Sequence, residues 1–247
     1  MVARAAVLTA LVLAGCDGVF GLQTIHGDDD DGPREINVGA IEHKHSRETN
    51  QFTLPVSTPD GSDMVVLVFA AVGSYCNDSS VPTATLTFNG DTPMPRHVLT
   101  GTPCNDALSH SYLWVITDPP TGSHDVAVML TATAHSLHVG ALLLSGVDAM
   151  SPVRTVNSAT GVGLASSVMV PSEDGDLVVS FIGQGGNIAD PGPGNTLRYL
   201  DNDSAATTLN NSGASTIAGS SPQVEARWTF SVDDQWQAIA VSLQPAH

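Results

Sequence analysis

Positive charge is what this 247-residue sequence lacks most: 8 Lys and Arg stand against 25 Asp and Glu, and Lys44 is its one lysine. Nucleic acid is excluded as a partner on that ground. Neutralising phosphates supplies most of the affinity of such binders, and a formal charge of −17 repels them. Charged residues of both signs make up 13% of the chain, about half the usual share. Aromatics are scarce at 5%. No window of about twelve residues or more carries a capped apolar period of 3.6, so a helical domain is not expected. Neither a Gly-x-Ser-x-Gly elbow nor a Gly-x-x-x-x-Gly-Lys-Ser/Thr loop is present, which disfavours serine-hydrolase and nucleotide chemistry. Hydrophobic residues, at 42%, are ordinary, so the chain has the means to pack a core. Its 23 glycines and 15 prolines suit short strands joined by many turns.

The first residues form a distinct segment. Arg4 precedes the apolar run 5–14, interrupted only by Thr9, and small residues follow. A charged start, a short apolar stretch and small residues are the parts of a secretory signal, and ten residues cannot span a bilayer as a helix. The ending Leu13-Ala14-Gly15-Cys16 resembles the lipobox of bacterial lipoproteins. That resemblance implies cleavage before Cys16, lipid on its thiol and acyl chains that hold the protein in a membrane, two chains being enough for stable attachment. Asp17 resembles the sorting residue of lipoproteins retained in the inner membrane. The expected address is the bacterial cell envelope: outer membrane, cell surface or periplasmic face of the inner membrane. Asp28, Asp29, Asp30 and Asp31 repel one another, so the residues after Cys16 read as a solvated tether with a reach of roughly 20–24 Å. Calcium is the sharper alternative for that run, although consecutive aspartates lack the alternation of an EF-hand loop. The expected organisation is a signal peptide at 1–15, an anchor and tether at 16–35, and a β domain at 36–247.

With Cys16 assigned to lipid, Cys76 and Cys104 remain, an even pair in an exported chain. A disulfide between them would close a loop of about 28 residues and contribute on the order of 3–4 kcal/mol.

Downstream of residue 35 the apolar period is two. Ala84, Leu86 and Phe88 alternate with threonines, and Val224, Ala226, Trp228 and Phe230 with polar residues, as in half-buried strands. The stretches 64–72, 137–144, 177–182 and 236–243 are continuously apolar and read as strands covered on both faces. Weaker strands are expected near 36–42, 50–56, 96–100, 152–158, 166–170, 196–200 and 213–218, and a hairpin over 109–131. The fold class is all-β, a two-layer antiparallel sandwich of jelly-roll type. The halves echo each other, Thr58-Pro-Asp-Gly-Ser-Asp-Met-Val-Val with Pro171-Ser-Glu-Asp-Gly-Asp-Leu-Val-Val, and the alternative is two immunoglobulin-like sandwiches. The span 36–247 also resembles modules of bacterial surface proteins, through its Tyr-x-Trp segment closed by Pro-Pro-x-Gly, the Ser-Gly-Val-Asp turn at 145–148 and the final Trp-x-Ala-x-Ala-Val-Ser strand. That resemblance implies a jelly-roll sandwich and brings no activity with it.

Candidate chemistry is sparse. His43 and His45 share one face of a strand, and two imidazoles there would need a third metal ligand from elsewhere. His135 and His138 fall on opposite faces. Asp174 with Asp176 and Asp201 with Asp203 are acid pairs that would ligate calcium or serve a glycosidase, and each is also ordinary turn or loop chemistry. Trp114 and Trp228 fall in phase with apolar neighbours, as core residues do, whereas Trp236 between Gln235 and Gln237 is the one placed for sugar stacking together with Asp201 and Asp203. The segment 183–194 has no strand pattern and is the candidate binding loop. The expected function is therefore a lipid-anchored envelope module that recognises a glycan or another envelope protein, or is purely structural. The alternative is a glycan-cleaving or metal-dependent enzyme.

Overall fold

The computed structural model describes residues 32–75, 81–101, 107–202 and 211–247. Cys16, Cys76, Cys104, Asp203 and the aspartate run at 28–31 lie outside the described residues. Among the described residues there are twelve strands and no helix. The first six are β1 (Asn37–Thr58), β2 (Met64–Tyr75), β3 (Ala84–Phe88), β4 (His97–Thr100), β5 (Ala107–Thr117) and β6 (Gly122–Ser145). The second six are β7 (Val153–Pro171), β8 (Leu177–Gln184), β9 (Ile188–Pro191), β10 (Thr196–Asn202), β11 (Asn211–Ala218) and β12 (Gln223–Leu243). They lie in one compact unit, Pro33–His247.

The expected antiparallel β-sandwich is formed, and each half of the chain supplies one six-stranded sheet. The first sheet runs β1-β6-β2-β5-β4 with β3 on β6, and the second runs β7-β12-β8-β11-β10 with β9 on β12. Adding six to each label of the first order gives the second, so the faint echo in the sequence corresponds to a repeated strand order. The sheets meet with β1 across from β10, β6 across from β11, β5 across from β12 and β4 across from β7. That pattern is unchanged when the halves are exchanged, which is the property of an interface with a two-fold axis.

Alternation decides which side chains enter this contact. Val65, Leu67, Phe69 and Ala71 of β2 face the second sheet, where Val179 and Phe181 of β8 and Ile239, Val241 and Leu243 of β12 meet them. Phe69 and Phe181 stack with centroids 5.0 Å apart and planes 8° from parallel. Each fully buried phenyl contributes about 1.5–3 kcal/mol of transfer free energy. The alternate residues of β2, Val66, Val68, Ala70 and Val72, face back into their own half and pack on Phe52, Leu54 and Val56 of β1, Leu86 and Phe88 of β3, and Val126 and Val128 of β6. Strand β2 is thus covered on both sides, which is why it reads as an unbroken apolar run. The second half repeats the device with Val178 and Ile182 of β8 against Val168, Val170, Val224, Ala226 and Trp228.

These inner cores require the longest strands to bend out of one layer and into the next. In β1 the pairing with β6 slips between Thr49 and Gln51, beside Glu48 at φ 45°. In β12 the pairing with β7 slips between Thr229 and Asp234, and Gly163, opposite Asp234, holds φ 144°, a conformation that side chains oppose. The sequence pattern expects separate strands at 36–42 and 50–56, at 152–158 and 166–170, and at 223–230 and 236–243; each pair is instead the two arms of one bent strand. The expected hairpin over 109–131 is also corrected. Strand β5 pairs with β2 and β4, while the first arm of β6 pairs with β1 and β3, so the Pro119-Pro120 turn carries the chain between layers. Finally, 183–194 is not one loop, because β8 extends to Gln184 and β9 pairs with β12 inside that segment.

Candidate metal centre

Where β1 faces β10 the inter-sheet contact changes from apolar to polar. Register places His45 opposite His138, His43 opposite Gly140 and Ile41 opposite Leu142, so the histidines continue the row that Leu142 and Leu144 occupy further along. From the second sheet, Tyr199 and Asp201 of β10 point into the same gap, paired with Ala214 and Ser212 of β11. Asp201 is the hub. Its Oδ1 and Oδ2 lie 2.9 and 3.0 Å from His45 Nδ1, and Oδ2 lies 3.7 Å from His138 Nδ1 and 4.0 Å from His43 Nδ1. The His45 and His138 rings are 5.3 Å apart. Side-chain exposure grades outward from 2% at His138 and 12% at Asp201 to 36% at His45 and 38% at His43. The cluster has a buried floor and an open side along the edge strand β1.

Two features hold it in shape. His43 stacks on Tyr199, centroids 4.7 Å apart and planes 11° from parallel. Tyr199 in turn lies against the backbone of Gly140, where any Cβ would overlap its hydroxyl. Burial raises the Tyr199 pKa, with the Asp201 charge adding to the rise and the Ser212 hydroxyl opposing it. Burial also acts to raise the Asp201 pKa, but hydrogen bonding and charge from His138 and His45 outweigh it and hold the carboxyl at about 2.

The residues singled out in the sequence are distributed as follows. His43 and His45 share one face; His45 lies with His138 and Asp201, their ligand atoms within 4.8 Å of one another, while His43 stacks on Tyr199 beside that set. Asp201 enters this cluster and not a site with Trp236. The indole of Trp236 packs in the second half's own core over Gly161, on the face of the sheet that carries Leu200, whereas Tyr199 and Asp201 occupy the opposite face. His135 meets Glu48 at 2.7 Å, away from His138. Asp176 accepts two hydrogen bonds from Arg154, at 2.6 and 3.1 Å, and one from the Ser242 hydroxyl at 2.8 Å. Asp174 accepts from the Ser221 amide. That pair is turn chemistry. Trp114 and Trp228 are fully buried, the latter donating to the Ser180 hydroxyl at 3.0 Å.

The sequence reading weighs His138 only against His135, and it passes over Gly140 and Tyr199. The only signal available was local: Tyr199 and Asp201 are two apart on one strand, as are His43 and His45. Nothing in one half of the chain says which residues of the other half it will face. Comparison with family models, with curated proteins and with solved structures finds no match to this chain.

Proposed function

We propose that the chain is an exported lipoprotein, anchored through Cys16, whose sandwich body serves in the bacterial envelope as a recognition or structural module and not as a glycan-cleaving enzyme. The observation that carries this reading is the state of the two best-placed aspartates. A glycosidase needs one carboxyl kept protonated with a raised pKa, facing a second one across the scissile bond. Asp176 and Asp201 are instead both shifted downward, the first against burial by Arg154, the Glu173 amide and Ser242, the second by histidines. Each carboxylate is committed to holding strands together.

Further support comes from the unit that holds all twelve strands: it begins at Pro33, two residues after the aspartate run. Tyr75 pairs with Ala107, one residue before Cys76 and three after Cys104, and two cysteines near paired strand ends of an exported chain favour a disulfide in an oxidising compartment. Glycans and other envelope proteins are the partners this module would meet.

The test has two arms. Palmitate labelling of the full chain in a bacterial host should mark the protein and should fail in Cys16→Ala; labelling of neither would remove the anchor. Binding of the purified full chain to one class on a glycan array, with and without calcium, would establish recognition, and uniform silence would remove the glycan partner.

A further inference from the structure

Three side chains with metal-binding atoms, drawn from both halves of the chain, converge where β1, β6 and β10 meet. The ligand atoms of His45, His138 and Asp201 all lie within 4.8 Å of one another. We propose that these three residues, with His43 as a fourth donor, bind a divalent transition-metal ion of the zinc class, and that the ion ties the first half of the sandwich to the second.

Donor chemistry sets the class. Imidazole nitrogens with one carboxylate suit zinc and its first-row neighbours, whereas calcium takes six to eight oxygens. Geometry agrees. Ligands at ~2.0–2.1 Å from a tetrahedral ion sit about 3.3 Å from each other. The 2.9 and 3.7 Å separations of Asp201 from His45 and His138 straddle that value. The imidazole pair closes by up to about 1.5 Å, a movement open to His45 because its side chain is 36% exposed. Among the described strands β1 ends the first sheet and β10 the second, so ions would enter along those edges. His43, stacked on Tyr199, has its Nδ1 4.0 Å from Asp201 Oδ2 and would have to move toward the other three to serve as the fourth donor. Arg47, one rung beyond on the same face, is the cation against which the site must work.

His45, His138 and His43 belong to the first half and Asp201 to the second, so an ion bound only when the sheets are docked stabilises the docking. This site is independent of the lipid anchor and of any glycan partner.

Untagged full-length protein, stripped with chelator, is titrated with zinc chloride by calorimetry and melted with and without the metal. Expected are one tight equivalent and a raised melting midpoint in the wild type. His45→Gln and Asp201→Asn should each weaken binding by more than about tenfold and abolish the rise in midpoint, while His97→Gln, at the opposite end of the interface, changes neither. Binding that survives both first variants would overturn the site. A wild-type midpoint indifferent to bound zinc would overturn the tie between the halves. Should the variants not fold, cobalt substitution of the wild type decides the matter: an intense tetrahedral visible band supports the site, and a weak octahedral spectrum or none overturns it.

Discussion

The two ends of the inter-sheet contact occupy equivalent places in the repeat and are filled with different chemistry. At one end β1 and β6 face β10 and β11, and the gap holds three histidines, Tyr199 and Asp201. At the other, β7 and β12 face β4 and β5, and the gap holds serines, Gln237 and a single histidine, His97, whose pKa burial lowers, with no carboxylate among the described residues bonded to it. There the Ser111 hydroxyl donates to Gln237 Oε1 at 2.6 Å, Gln237 Nε2 donates to the Ser109 carbonyl at 3.0 Å and to its hydroxyl, and His97 meets the Ser158 hydroxyl at 2.9 Å. A duplicated strand order needs some polar closure at each edge, because edge residues see water. The neutral end satisfies that need with hydrogen bonds alone. The charged end goes further and collects ionisable donors, an arrangement that docking of the sheets does not require, as the neutral end demonstrates.

If the contact is symmetric, damage at its centre should be the most costly and should not depend on which half is hit. Phe69→Ala and Phe181→Ala each remove one ring of the stacked pair and are expected to lower stability by about 3–5 kcal/mol, read from urea denaturation. Together they should cost less than their sum, since each loses the same contact. A large difference between the two single variants would break the symmetry.

The aspartates that open the repeated apolar strands sharpen the comparison next. Asp63 pairs with Arg34, whose side chain is 61% exposed, while Asp176 is fully enclosed by Arg154, Ser242 and the Glu173 amide. Asp176→Asn is expected to cost roughly 3–5 kcal/mol, and Asp63→Asn less than about 1 kcal/mol. Acidity should separate them as well. The folded pKa of Asp176 is depressed below 3.8, so its contribution is present above that value and is lost as pH falls beneath it. Denaturation midpoints between neutral pH and pH 3 should therefore drop more steeply in the wild type than in Asp176→Asn.

The arms of the strands were legible in the sequence and the bends were not. An arm such as 84–88 or 224–230 keeps one face in a core, and its alternation shows. At 43–49 and 159–165 the strand changes layers, so neither face stays apolar and the period vanishes although pairing continues. Strand β9 was hidden for a related reason, because Gly and Pro surround Ile188 and only β12 makes it a strand. Half of the histidine site could be read, since His43 and His45 share a face by parity alone. His138 and Asp201 join them through the β1–β6 register and the docking of the sheets, contacts that span about a hundred and fifty residues of sequence in the second case.

The neutral end should be sensitive to deletion and indifferent to metal. Gln237 is 2% exposed, and Gln237→Leu would take their Gln237 partner from the buried Ser111 and Ser109 hydroxyls, while the Ser109 carbonyl keeps the Gly101 amide. A loss of about 1–3 kcal/mol is expected, the same with chelator or with zinc. A zinc-dependent loss would show that the two ends are coupled.

The smallest effect belongs to the charged end in the absence of metal. His45→Gln keeps a hydrogen-bonding group near Asp201 and leaves His138 and His43 around it. At 36% exposure the lost contact is screened by water, so the cost in chelator should be below about 1 kcal/mol. The order of the two ends is then a direct measure of purpose. If His45→Gln in chelator destabilises as much as Gln237→Leu does, the histidines are simply the polar closure of their edge, equivalent to the glutamine at the other. If it costs little until zinc is added, the cluster contributes to docking chiefly as a ligand set, and the difference between the ends is functional.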